Sequence, residues 1–447
     1  MTEDRVHGWL AKVVAVRPGE ARALLWSFAY FFCLLAGYYV LRPLRDEMGV
    51  AGGVRNLPWL FTTTFFVMLA VVPMFGAVVA RLARRVFIPL VYHFFVANIA
   101  IFWLLLTLDI ATAQVARVFF VWISVFNLFA VSVFWSFMAD LYASEQGKRL
   151  FGFIAAGGSA GALLGPALAI GLAAPLGPVN LLIVAALLLE AAVLCAARLE
   201  STAAGLRSEA GAPVAPAGRS AAAAPGPPEA AAIGGGWLAG IGMVLRSPYL
   251  AGIALWVALL SLAGTFLYFM QANIVAAASD DPAVRTRIFA TIDLAIGILT
   301  ILVQFLATGR LISRFGAGPA AAFLPLVFCL GFLALWLTPM LWVVIAFQAV
   351  QRAANFAISN PAREVLFTVL DREEKYKAKN VIDIVVFRGG DAASGWLFAA
   401  LRGAGLDLGA ISLATVPVTA AWLALALALG RIHERRTRES ANQSNRR

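Results

Sequence analysis

Runs of about twenty apolar residues recur along this chain from Ala21 to Ala424. A run of that length spans the roughly 30 Å hydrocarbon core of a bilayer as a helix. No water is present there to satisfy backbone N–H and C=O groups, so each run must bond to itself along a helix axis. Twelve spans are expected, near residues 21–42, 57–80, 86–108, 113–139, 152–174, 179–197, 248–275, 287–308, 317–338, 340–361, 380–401 and 409–430. At 447 residues a soluble chain would form two or three domains. With 62% hydrophobic and 13% charged residues, this one has too little charge to cover soluble surfaces. The expected fold class is an all-α membrane protein.

The net charge of +11 invites a nucleic-acid reading, but the basic residues sit in short loops between spans. Arg81, Arg84 and Arg85 fall in one such loop, Lys148 and Arg149 in another, and Arg310 and Arg314 in a third. Arg198, Arg207 and Arg219, the stretch from Arg363 to Lys379, and Arg431 to Arg438 continue the set. The alternate loops near 109–112, 175–178 and 339 carry no Lys or Arg. This is the positive-inside pattern, which sets orientation rather than nucleic-acid binding. An even number of spans places both termini in the cytoplasm, in a membrane of the bacterial inner type. Arg5, Lys12, Arg17 and Arg22 agree. No A-x-A-type cleavage site follows the first span, so no removable signal peptide is expected. Cys33, Cys195 and Cys329 lie in separate spans without metal or disulfide spacing.

Residues 200–235 break the apolar rhythm with Ala, Pro and Gly, including Pro213, Pro216, Pro225, Pro227 and Pro228. Such a segment buries little and reads as a flexible cytoplasmic linker. It divides the chain into six-span bundles at 1–199 and 236–447. Trp237 to Arg246 suggests a short helix along the membrane surface. An internal repeat supports the division. Gly76-Ala-Val-Val-Ala-Arg81-Leu-Ala-Arg84-Arg85 follows span 2, and Gly309-Arg310-Leu-Ile-Ser-Arg314-Phe-Gly316 follows span 8. Both resemble the basic loop of the major facilitator superfamily, G-x-x-x-D-R-x-G-R-R, although Ala80 replaces the acid and Ala83 the second glycine of the first copy. The resemblance implies parallel halves about a site near the bilayer midplane.

Ionisable and amide groups inside spans are costly and mark candidate sites. Arg42 and Arg45, three apart beside Asp46, either anchor in headgroups or form a buried pair aimed at an anion. Span 4 carries Arg117, Ser124, Asn127, Ser132, Ser136 and Asp140, which serve a polar face or bonds between helices. In span 10, Gln348, Arg352, Asn355 and Ser359 recur on one face. An arginine among amides suits phosphate or carboxylate oxygens, because its planar fork engages two at once. Span 7 adds Gln271 and Asn273, and span 8 adds Asp293 and Gln304. Asp293 either pairs with an arginine of the other half or carries a proton. Arg388 and Asp391 in span 11 can meet across one helical turn. Gly157, Gly161 and Gly165 form a small-residue row that allows close helix approach. No G-K-[ST] phosphate loop, Ser-His-Asp set, H-E-x-x-H or metal cluster occurs, and His7, His93 and His433 are scattered. The expectations are therefore no metal, no cofactor and no catalytic residue.

The segment Asn355-Phe-Ala-Ile-Ser-Asn360-Pro361-Ala-Arg363-Glu364, with Leu370-Asp371, Tyr376-Lys377-Ala-Lys379 and Ile382-Asp383-Ile-Val-Val-Phe-Arg388, resembles the ATP/ADP translocase family. Leu41-Arg42-Pro-Leu-Arg45-Asp46, Phe134-Trp135-Ser-Phe137-Met-Ala139-Asp140, Lys148-Arg149-Leu-Phe, Gly297-Ile-Leu-Thr300 and Arg314-Phe-Gly316 resemble other parts of it. The likeness touches both halves and is densest near 360–388. It implies a major-facilitator-like secondary transporter that exchanges or imports nucleotides by alternating access, with Arg42, Arg45, Arg363, Arg388 and Asp383 as matching positions. Two departures stand out: the family usually has lysine where this chain has Asn355 and Asp391. The expected partners are an anionic small molecule and the lipid bilayer, without nucleic acid, and the expected state is a monomer. Proton-coupled movement of another organic solute, with Asp293 or Asp391 as the proton site, is the alternative. A membrane scaffold or a lipid-modifying enzyme is the alternative of a different class.

Overall fold

The computed structural model describes residues 14, 16–17, 19–79, 84–209, 237–306, 317–370, 378–379 and 381–444. Among the described residues the chain is all helix, with no strand. Twelve helices are long and apolar enough to cross a membrane. They begin with α1 (Glu20–Ala51), α2 (Leu57–Val79), α3 (Arg84–Thr107), α4 (Thr112–Leu141), α5 (Ser144–Leu176) and α6 (Leu181–Glu209). A short α7 (Trp237–Arg246) precedes α8 (Pro248–Ala278), α9 (Pro282–Leu306) and α10 (Ala317–Leu337). The next span is composite. α11 (Leu341–Ala354) runs through a π turn (Asn355–Ser359) into α12 (Asn360–Leu366). A second π turn (Val381–Val386) leads into α13 (Phe387–Gly403), and α14 (Leu408–Ser444) ends the described chain.

The expected spans recur, and several helices are longer than their apolar runs. α1 continues past Arg42 and through Pro43 to Ala51. α6 continues to Glu209, ten residues into the segment read as linker; residues 210–235 of that segment lie outside the described residues. The same holds for 80–83 and 307–316, which carry most of the repeated basic loop, and for Asp371, Tyr376 and Lys377.

The chain forms two compact units. Unit 1 comprises residues 1–52, 70–226 and 281–294. Its core is built on α1, whose Leu24, Tyr30, Leu34 and Val40 are buried with Phe119, Phe126 and Phe134 of α4. The Tyr30 hydroxyl donates to Tyr92 of α3 at 2.7 Å, and Tyr92 donates to the Ala130 carbonyl of α4 at 3.1 Å. Three helices are thereby tied through two buried phenols. At the start of α1, Glu20 accepts from Arg149 at 3.0 Å and from Gln146 at 2.9 Å, both on α5. Tyr142, just beyond α4, lies 2.8 Å from the Ser27 hydroxyl; burial pushes its phenol up to about 12, so it stays neutral.

The glycine row of α5 lies on α1. A Cβ on Gly157 would stand 2.5 Å from the Phe28 carbonyl oxygen, and one on Gly165 would stand 2.6 Å from that of Ala36. Gly161 faces the Phe32 carbonyl and the Ala36 nitrogen between them. In a bilayer, lipid tails are as apolar as leucine, so such close packing supplies the association that water-driven burial supplies elsewhere.

Unit 2 comprises residues 53–69, 227–280 and 295–447. Trp256 of α8 meets Trp422 of α14 edge-on at 5.5 Å between ring centroids, and Phe328 of α10 packs on the same indole. Gly318 of α10 and Gly430 of α14 face each other so closely that neither leaves room for a side chain. Phe269 of α8 meets Phe398 of α13 at 5.4 Å. Ser247 caps α8, accepting from the Leu250 N–H, and Pro248 occupies the first helical position, where its missing donor costs nothing.

Candidate functional site

In unit 1 the charged end of α1 lies against the start of α9. Arg42 stands 3.3 Å from Asp293, and Arg285 stands 2.8 Å from Glu47. The Arg45 Nε donates to Asp46 at 2.9 Å. Both of these guanidiniums also lie over an aromatic ring, Arg42 over Tyr39 at 5.6 Å and Arg45 over Phe120 at 5.0 Å. Asp46, Glu47, Arg285 and Asp293 are buried. The continuation of α1 past Pro43 is what makes this possible, because it keeps Asp46 one turn beyond Arg42 on the same helical column and brings Glu47 within reach of Arg285. The two arginines expected to face an anion or the headgroups thus lie within pairing distance of carboxylates. Glu47 and Arg285 are members that the sequence reading did not single out. Both sit near span ends, where loop and span composition look alike.

In unit 2 a second polar group joins α8 to α13. The Ser261 hydroxyl donates to Asp391 Oδ1 at 2.6 Å and reaches the Phe387 carbonyl at 2.9 Å. The Thr265 hydroxyl donates to the same Oδ1 at 3.2 Å. Arg388 faces the other carboxylate oxygen at 3.7 Å, longer than a formed N–H···O bond. The Asp391 side chain is 14% exposed and that of Arg388 is 42% exposed. Gly390 permits the approach, since a Cβ there would lie 2.8 Å from the Ser261 hydroxyl oxygen. Ser261 and Thr265 escaped the sequence reading because a hydroxyl in an apolar run usually satisfies itself on its own helix.

The polar column of span 10 crosses from α11 into the π turn. Gln351 donates to Gln348 at 2.7 Å, and both are buried. Arg352 and Asn355 are partly buried and Ser359 is buried. The Asn355 side-chain oxygen and the Ser359 hydroxyl are buried without a hydrogen-bond partner among the described residues. π turns widen a helix by one residue and recur at functional sites; no feature of the apolar pattern announces this one. Below it, Arg363 pairs with Asp383 of the second π turn at 3.0 Å, and Lys379 pairs with Glu364.

The remaining expected residues are dispersed. The side-chain amide of Asn273 bonds back to the Phe269 carbonyl at 2.8 Å. Gln271 is buried, with its oxygen unpartnered among the described residues. On α4, Arg117, Ser132, Ser136 and Asp140 are exposed, and Asn127 is half-buried. Among the described residues no group of three His, Cys, Asp or Glu side chains is placed to hold a metal.

No protein-family model matches this chain, and no curated protein matches it significantly. Solved structures do match. The bacterial homologue of the human lysosomal transporter Spinster, inward-facing and unoccupied, aligns with 94% of this chain and 98% of its own, at TM-score 0.55 and 15% identity. The nucleoside transporter NupG, in a point-mutant form, covers 94% and 99% at TM-score 0.58 and 13% identity. An auto-inhibited peptide transporter of the POT family covers 93% and 97% at TM-score 0.58 and 14% identity. These are transporters of major-facilitator type, and at such identities the likeness is one of fold. The chain is an all-α, multi-pass membrane protein with the major facilitator fold.

Proposed function

We propose that this protein is a secondary active transporter that moves an anionic metabolite by alternating access. The observation that carries the reading is Arg388. It stands about 10 Å along a span that starts at Val381, yet 42% of its side chain is open and its carboxylate neighbour is 3.7 Å away. A charged side chain at such depth is costly unless it meets water or a polar partner. A loosely paired guanidinium can exchange that carboxylate for an incoming anion, using two parallel N–H···O bonds. Arg352, with the buried oxygens of Asn355 and Ser359 that lack a partner among the described residues, supplies a second cation and neutral polar groups. The fold shared with transporters supports the class.

The resemblance of 355–388 to the ATP/ADP translocases supports a nucleotide-like substrate. Asp391, standing where that family usually has lysine, favours one less anionic than ATP. The functional halves are 1–199 and 236–447, joined by 200–235 in the cytoplasm, with the protein in an inner membrane. Uptake into proteoliposomes of ATP, ADP and less charged organic anions tests this. Arg352→Gln and Arg388→Gln should each cut uptake by about tenfold or more, the scale of a lost charge-assisted bond, with folded yield preserved. Uptake of neutral or cationic solutes alone would remove the anionic substrate. No movement of any solute would remove transport itself.

A further inference from the structure

We propose that Asp391, Ser261, Thr265 and the Phe387 carbonyl form a sodium-ion site, and that filling it releases Arg388 for the anionic substrate. Hard cations take oxygen ligands, and transporters of other folds hold Na⁺ with backbone carbonyls inside the membrane. Four oxygens of three chemical kinds meet here: a carboxylate, two hydroxyls and a backbone carbonyl. Their spacing is regular. Ser261 and Thr265 are four apart on α8, and Phe387 and Asp391 are four apart on α13. Each pair therefore shares one helix face.

Both hydroxyls lie within donating distance of Asp391 Oδ1, and that of Ser261 also of the Phe387 carbonyl. Each hydroxyl oxygen has two acceptor lone pairs, so rotation of each about its own C–O bond turns it from a donor into a ligand. Gly390 keeps the approach open, because a side chain there would collide with the Ser261 hydroxyl. A proton would need only one carboxylate oxygen, and it would give the Phe387 carbonyl and two convergent hydroxyls nothing further to do. Two features link the site to Arg388. The only charged group the described structure sets against Asp391 is Arg388, on its own helix, while α8 contributes only hydroxyls. Its 3.7 Å separation is a weak hold. A cation on Oδ1 takes over the neutralisation of Asp391 and leaves the guanidinium free.

Ion binding stands without the transport reading; only the release of Arg388 for substrate rests on it. The test is thermal unfolding of the purified full-length protein in detergent, with NaCl replacing choline chloride at constant ionic strength. A saturable rise in melting temperature with Na⁺ is expected for the wild type and no rise for Asp391→Asn. Thr265→Val should raise the half-saturating concentration about tenfold or more, the usual scale for disturbing a metal site, and Thr265→Ser should restore it. A cooperative melt for each variant shows that it folds. Identical wild-type curves in sodium and choline would overturn the site. So would an Asp391→Asn protein that keeps its response, or stabilisation that follows acidification alone. A sodium-dependent shift in a protein that moves no solute would leave the site standing and remove the transport reading.

Discussion

Gly165→Ala adds one methyl group where α5 lies on α1. The new Cβ would stand 2.6 Å from the Ala36 carbonyl oxygen, 2.6 Å from Tyr39 Cβ and 3.0 Å from the Tyr39 carbonyl carbon. Ordinary contact begins near 3.4 Å, so the helices must part by about 0.8 Å. None of the three atoms belongs to a flexible side-chain end, so no rotamer change relieves the overlap. Tilting α5 instead would drive Gly157 into the Phe28 carbonyl, 2.5 Å from its own virtual Cβ. Overpacking of this kind costs roughly 1–3 kcal/mol. Alanine recovers roughly 0.8–1 kcal/mol of helix propensity over glycine, so a net loss of up to roughly 2 kcal/mol remains. Gly171 provides the control on the same helix, because its Cβ would meet nothing within 4 Å. Gly171→Ala should therefore be neutral or slightly stabilising. Thermal unfolding in detergent, followed by tryptophan fluorescence, reads both variants side by side. A Gly165→Ala variant as stable as Gly171→Ala would refute the claim that backbone contact holds α5 to α1.

Two further outcomes follow from the charged and unpatterned segments. Arg42→Gln and Asp293→Asn should each destabilise the protein by about 3–5 kcal/mol, the cost of leaving one member of a buried pair; the double variant should lose clearly less than their sum in a thermodynamic cycle. Ser220→Cys, in a background without Cys33, Cys195 and Cys329, should react with an impermeant maleimide only after the cells are opened; labelling of intact cells would place residues 200–235 outside.

The helices could be read from the sequence because the bilayer leaves a run such as 248–275 no other conformation. The row Gly157–Gly161–Gly165 was legible for a related reason, since a four-residue spacing of missing side chains has one geometric use. The end of α1 was not. Arg42 reads as the membrane boundary until its partner is known, and that partner, Asp293, lies in the other half of the chain. Sequence spacing predicted that Arg388 and Asp391 could meet. It could not show that Ser261 and Thr265, two hydroxyls among many, would turn to the same carboxylate oxygen. The π turn at 355–359 left no mark either, since it alters the phase of a helix without altering its composition.

The three ion pairs at the end of α1 contain three positive and three negative side chains, Arg42, Arg45 and Arg285 against Asp293, Asp46 and Glu47. Displacing one elementary charge through a membrane potential takes about 2.3 kcal/mol per 100 mV. A group that carries its countercharges with it does no net electrical work, however far it shifts along the field. Rearrangement at this end of the protein is thus insulated from the resting voltage of the cell.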